Sequence, residues 1–290
     1  MLRILLNLTI VVFMVGNLLE VGLRLKVEEA LAALRDARFA ALTLLWCFIL
    51  GPALAVLLTK IIPLAEPYAL GLILLGMAPC SPAIPVMLRT SGGSMAYMSA
   101  FMLMAYGGTV VLMPFLVPLL ATGFTADPWT IAKPLLLFIT MPLVIGAAIR
   151  RASETVAEKV APIVKTVTGA NTLILCVVLL RLYHGKVFGA VGTYAIGSQI
   201  LYYALLGFGS YLLGFGLPYE QKAPMVLGIC TRNVGPAFAT LMGASDAPQG
   251  AITMCILAVF LAALLSGFTA ATLLRRFCAP AGVTCQDGAP

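Results

Sequence analysis

Charge is scarce in this chain. Of its 290 residues, 10% are Asp, Glu, Lys or Arg and 61% are hydrophobic. A water-soluble domain carries about 25% charged residues to cover its surface, so a soluble fold is excluded. Histidine is nearly absent: His184 is the only one, which leaves no basis for a His-built metal site. The seven cysteines are odd in number, lie mostly inside apolar runs and show no CxxC spacing. They read as small packing residues rather than disulfides or metal ligands. Paired aspartates at depth, an HExxH helix and a Ser-His pair are also missing, which argues against an intramembrane enzyme. The net charge of +7 forms no patch, because the basic residues flank apolar runs, and no nucleic-acid partner is expected.

Long apolar runs are what remains. A membrane span needs about 20 apolar residues. Nine stretches qualify: 3–24, 37–60, 68–90, 94–121, 130–150, 161–184, 189–216, 221–243 and 248–275. The first resembles a signal peptide but has no small-x-small cleavage site, so it reads as a span. The loops between spans are too short for a soluble domain. The loops after the odd-numbered spans hold twelve Lys and Arg, among them Arg24, Arg35, Arg89, Arg150 and Lys222. The alternate set holds five: Arg3, Lys60, Lys133, Arg181 and Lys186. By the positive-inside rule the first set is cytoplasmic, the N-terminus is outside and the C-terminus is inside. The expected location is a bacterial inner (plasma) membrane, with the bilayer as the one obligatory surrounding and no obligate protein partner.

Arg232 is left over, with no loop to live in. It lies in the run GICTRNVGPAF, where a charge at mid-helix costs about 2.5–3.5 kcal/mol. Gly228, Gly235 and Pro236 mark an interrupted helix around it. A second interrupted stretch, GMAPCSPAIPVM, carries Pro79, Pro82 and Pro85 at membrane depth. Each interrupted span precedes a long final span, and an odd number of spans separates the two units, so they are inverted repeats. Two broken spans in one polytopic chain point to a transporter's binding site. The expected fold is all-α: about nine transmembrane helices with two broken, crossing helices. A channel would show rings of like polar residues; a ligand-binding sensor without transport stays open as an alternative.

These motifs resemble the bile acid:sodium symporter superfamily. The likeness runs from VFMVGNLLEVGLRLKVEEA through GLILLGMAPCSPAIPVML to YEQKAPMVLGICTRNVGPAFATL and the closing SGFTAATLLRR. It implies a core domain that holds the broken helices and a panel domain against which the core moves. Spans 2–4 (37–121) and 7–9 (189–275) are the expected core. Residues 1–30 and 130–185 are the expected panel, and 276–290 a cytoplasmic tail. The resemblance also implies sodium coupling, yet the positions that carry it depart from the pattern. Ile84 and Pro85 stand where the family has Ser-Asn, and Met98 and Met102 where it has hydroxyls. Cys47 replaces a glutamine, Gly228 a carboxylate and Arg232 another glutamine. Sodium needs hard oxygen ligands, and these side chains supply none.

The expectation is therefore a secondary transporter of a small organic anion, with sodium independence or, alternatively, sodium coupling through other ligands. No cofactor or metal is assigned; sodium remains possible only through the resemblance. The candidate substrate residues are Arg232, Asn233 and Thr231 at one break, Cys80 and Ser81 at the other, and Asn171 within span 6. Two uses of Arg232 stay open. Its guanidinium either stands in for bound cations against the carbonyl ends of half-helices or clamps the substrate anion.

Overall fold

A computed structural model describes residues 2–121, 127–243, 247–261 and 267–278, and every described regular element is a helix. Residues 279–290, which hold most of the expected tail, and 262–266 within the expected ninth span lie outside the described residues. The chain is an all-helical, multi-pass membrane protein. Among the described residues, five helices are long and apolar enough to cross a bilayer.

Span 1 is α1 (Leu2–Arg24), followed by a short surface helix α2 (Val27–Ala33). Span 2 is one helix over Ala37–Ile61, made of α3 (Ala37–Leu45) and α4 (Gly51–Ile61) joined by a single wide turn at Trp46–Leu50. Span 5 repeats the device: α8 (Pro128–Leu135) and α9 (Met141–Ala152) meet through a wide turn at Leu136–Thr140. Each wide turn ends two residues before a proline, Pro52 or Pro142. A proline ring clashes with the carbonyl four residues back, and the wide turn relieves that clash without breaking the span. Span 6 is α10 (Glu154–Gly189), whose start is capped by Ser153 accepting from Val156 N at 3.3 Å. Span 7 is α11 (Ala195–Leu212).

Spans 3 and 8 are the interrupted ones. The third consists of α5 (Glu66–Met77) and α6 (Ile84–Ser91), and the eighth of α12 (Tyr219–Cys230) and α13 (Val234–Gly243). Continuous α7 (Met95–Leu120) follows the first pair; α14 (Gln249–Leu261) and α15 (Gly267–Cys278) follow the second.

Small residues set the packing, as expected where lipid removes any hydrophobic drive for helices to associate. Helix α1 packs along α9 and α10. Gly22 and Gly146 there bring two backbones so close that a methyl on Gly146 would stand 2.6 Å from Leu19 O. Asn171 of α10 donates from Nδ2 to Thr9 O at 2.9 Å, and Arg150 donates to Leu23 O at 3.1 Å. Elsewhere α5 packs on α14, with Gly71 against Ala251 and Met254, and Gly250 against Pro67. Large exposed apolar side chains such as Ile4, Leu137, Leu173, Val177 and Phe208 form the lipid-facing surface.

Asp36 ties the basic end together. Its carboxylate caps α3 by accepting from Phe39 N at 3.1 Å, and it also accepts from Gln221 Nε2 at 2.8 Å and Tyr97 OH at 3.4 Å. The Phe39 N–H bond, followed by those from Gln221, Arg38 N–H and Tyr97, outweighs burial and holds the carboxyl below its ordinary value. A depressed carboxylate stabilises above its unfolded pKa, and that contribution is lost as pH falls through the folded pKa. Asp36→Ala is therefore expected to cost about 1 kcal/mol at pH 7. Melting curves in detergent should show the gap to wild type narrowing below about pH 4.

Candidate functional site

The two breaks lie side by side and pair antiparallel. Asn233 N donates to Pro79 O at 2.7 Å, and Ser81 N approaches Thr231 Oγ1 at 3.5 Å. The pairing continues outward: Ser94 N donates to Glu220 O, and Tyr219 OH to Ser91 O at 2.7 Å, so α12 begins where α6 ends. This antiparallel crossing is the inverted arrangement that the span order predicts.

Each break exposes backbone groups that the helices cannot satisfy. Thr231 Oγ1 donates to Leu227 O at 2.7 Å, and Asn233 Oδ1 caps α13 by accepting from Gly235 N at 3.0 Å. Tyr106 OH donates to Cys80 O at 2.8 Å and lies beside Asn233. Arg232 reaches across to the other break, donating from Nη1 to Ala78 O at 2.8 Å. Its residue is only 2% exposed. Around the guanidinium stand Tyr202, Tyr203, Cys47 and Cys80, with no carboxylate among them. Nε and Nη2 meet no acceptor in hydrogen-bonding geometry, although the Tyr202 phenol lies beside them. Gly51 makes the room: a methyl there would stand 2.7 Å from Nη2 and 2.8 Å from Trp46 O. Tyr202 OH donates to Gly51 O at 3.2 Å and closes the same wall.

Five of the six predicted site residues thus gather at the crossing: Cys80, Ser81, Thr231, Arg232 and Asn233. Asn171 does not, since its amide is bonded to α1. Two residues that the motifs do not mark shape the crossing. Gly51 is one. Phe101 of α7 is the other, a fully buried ring that occupies the space a side chain at Gly228 would need.

Two cavities flank the crossing, at opposite ends of α1. The first, of about 500 Å³, lies between α1, α9 and α10 on one wall and Pro82, Pro85, Met98, Ser99 and Met102 on the other; Arg24, Arg89 and Arg150 line it. The second, of about 410 Å³, is lined by Leu6, Ile10, Tyr183, Phe238 and Gln249. Between them Met14 of α1 meets the crossing at Gly235, where an added methyl would stand 3.2 Å from Met14 Cγ. The guanidinium of Arg232 lines neither cavity.

Two discontinuous helices crossing between two cavities define a membrane transporter class. Residues 9–190 match the model of the Sodium Bile acid symporter family. The chain belongs to that family, whose members are membrane transporters of the symporter type rather than enzymes. The matched stretch contains the first break and stops before the second. No curated protein matches the chain.

Proposed function

We propose that this protein carries a small organic anion by alternating access and that a fixed cation, Arg232, replaces the coupling ions its relatives use. The observation that carries this reading is the Arg232 bond to Ala78 O, which joins the two breaks. The C-terminal carbonyls of α5 and α12 carry partial negative charge into a buried place, and a guanidinium with five donors suits them. Its placement favours the scaffold role over a direct substrate clamp. The side chains at the family's sodium positions, Cys47, Ile84, Pro85, Met98 and Met102, offer no hard oxygen. Phe101 fills the volume beside Gly228.

Two bodies are proposed to rock against each other: α1, α9 and α10 as panel, and the broken helices with their neighbours as core. The close seam of α1 with α9 and α10 supports the first body. The cavity that Arg24, Arg89 and Arg150 line is the one proposed to face the cytoplasm; with Lys26 they stand against Glu20, Glu29 and Glu158, a small positive excess. The substrate is proposed to sit against Pro82, Pro85, Met98, Ser99 and Met102.

The test is uptake of short-chain carboxylates and sulfonates into proteoliposomes with sodium, potassium or choline outside. Equal uptake in all three is expected. Strong stimulation by a sodium gradient sinks the ion-independent reading and favours the competing one, sodium coupling through other oxygens, which family membership supports.

A further inference from the structure

We infer that Arg89 and Glu158 form a gate pair that closes when the cavity they now line is shut. This rests on the two-body reading above. Arg89 stands at the end of α6, and Glu158 in the second turn of α10, so they belong to opposite walls of the 500 Å³ cavity. The other charged residues of that cavity are already paired. Arg24 meets Glu20 at 3.0 Å, Lys26 meets Glu29 at 2.9 Å, and Arg150 meets Glu154. Arg89 and Glu158 have no ion-pair partner among the described residues. Opposite charges held apart by open space, one on each moving body, are complementary only once that space is gone.

The far end of the same helix shows the complementary condition. Lys186, near the end of α10, donates to Gln249 at the start of α14, with its ammonium 5.7 Å from the Tyr183 ring centroid. Lys186 and Glu158 are separated by roughly 42 Å of helix, about the thickness of a bilayer with its headgroups. One continuous helix therefore carries a latch component at each end: one bonded, one unpaired. The Met14–Gly235 contact lies between the two cavities, where a rocking motion pivots. Closing one end while opening the other exchanges the Lys186–Gln249 bond for the Arg89–Glu158 pair.

The test needs no substrate. In the full chain in nanodiscs, Ser99→Cys, which lines the cavity, is alkylated with a maleimide and followed at that residue by peptide mass spectrometry. Arg89→Gln and Glu158→Gln are each expected to speed alkylation about two- to fivefold, the range an exposed ion pair confers. The charge exchange Arg89→Glu with Glu158→Arg should return the rate to that of the parent. Unchanged rates in the neutral variants, or an exchange no better than Arg89→Glu alone, overturn the gate pair. A third arm separates this from failure of the transport reading. A disulfide between Lys186→Cys and Gln249→Cys locks the α10–α14 contact in the arrangement seen here and should bring alkylation to its ceiling. If it does while the neutral variants change nothing, the gate is wrong and the rocking stands. If the disulfide has no effect, both fall.

Discussion

Arg232→Gln is expected to lower the melting temperature of the purified protein by about 5 °C, a loss of about 2 kcal/mol. A glutamine on the same backbone is too short to reach Ala78 O, so a buried carbonyl at the first break loses its donor. That alone costs about 1–3 kcal/mol. Removing the charge returns little of its burial cost, because the bond to Ala78 O and the half-helix carbonyls already offset that cost in the parent. Arg232→Lys keeps the charge but presents a compact ammonium in place of a planar fork, and should fall between the two. The decisive comparison adds transport. A glutamine variant as stable as its parent but inactive would move the guanidinium from the scaffold to the substrate, against the burial seen at the crossing.

Much of this arrangement was legible in the residues because its cause is local. Pro79, Pro82 and Pro85 delete donors within an apolar run, so the helix has to stop, and it does, between Met77 and Ile84. Arg232 announces itself by cost alone. Boundaries were less legible where charge and helix coexist. Span 6 reads as 161–184 by hydropathy, yet α10 begins at Glu154, since Ser153 caps a first turn whose one acidic residue, Glu154, suits a helix start. The loop after span 1 conceals α2, seven residues long and too short for periodicity to declare. The wide turns before Pro52 and Pro142 were not anticipated, since hydropathy passes over them without a dip. The partners of Arg232 were not legible. Gly51 and Tyr202 are 181 and 30 residues away from it in the chain, and nothing in their neighbourhoods hints at a shared wall. Asn171 shows the converse. A polar amide at depth marks a place needing a partner, but its sequence position cannot say whether the partner is a ligand or, as here, the Thr9 carbonyl of a neighbouring helix.

The second large effect is expected at Gly228. A methyl at this position would overlap the Phe101 ring, which is fully buried and pressed between α7 and α12. A ring in a close-packed interior has nowhere to retreat, so Gly228→Ala should cost about 3 kcal/mol, at the upper end of overpacking penalties. Phe101→Leu alone leaves a void and also destabilises, by about 1–3 kcal/mol. Combined, the two changes should be clearly less harmful than their separate costs together, because the smaller side chain makes room for the methyl. Melting curves of the four proteins measure that coupling, and simple additivity would show that the ring and the glycine do not share one space. The result bears directly on ion coupling. If the ring fills the volume that a carboxylate at 228 requires, a sodium ligand cannot be regained there by one substitution. Gly228→Asp should then destabilise without giving any sodium-dependent rise in melting temperature. On the sodium-independent reading proposed above, Gly228→Asp with Phe101→Ala has the space for a carboxylate but still lacks oxygens at Cys47, Met98 and Met102. Sodium should leave that double variant unmoved as well, because Arg232 already holds the positive charge at the crossing.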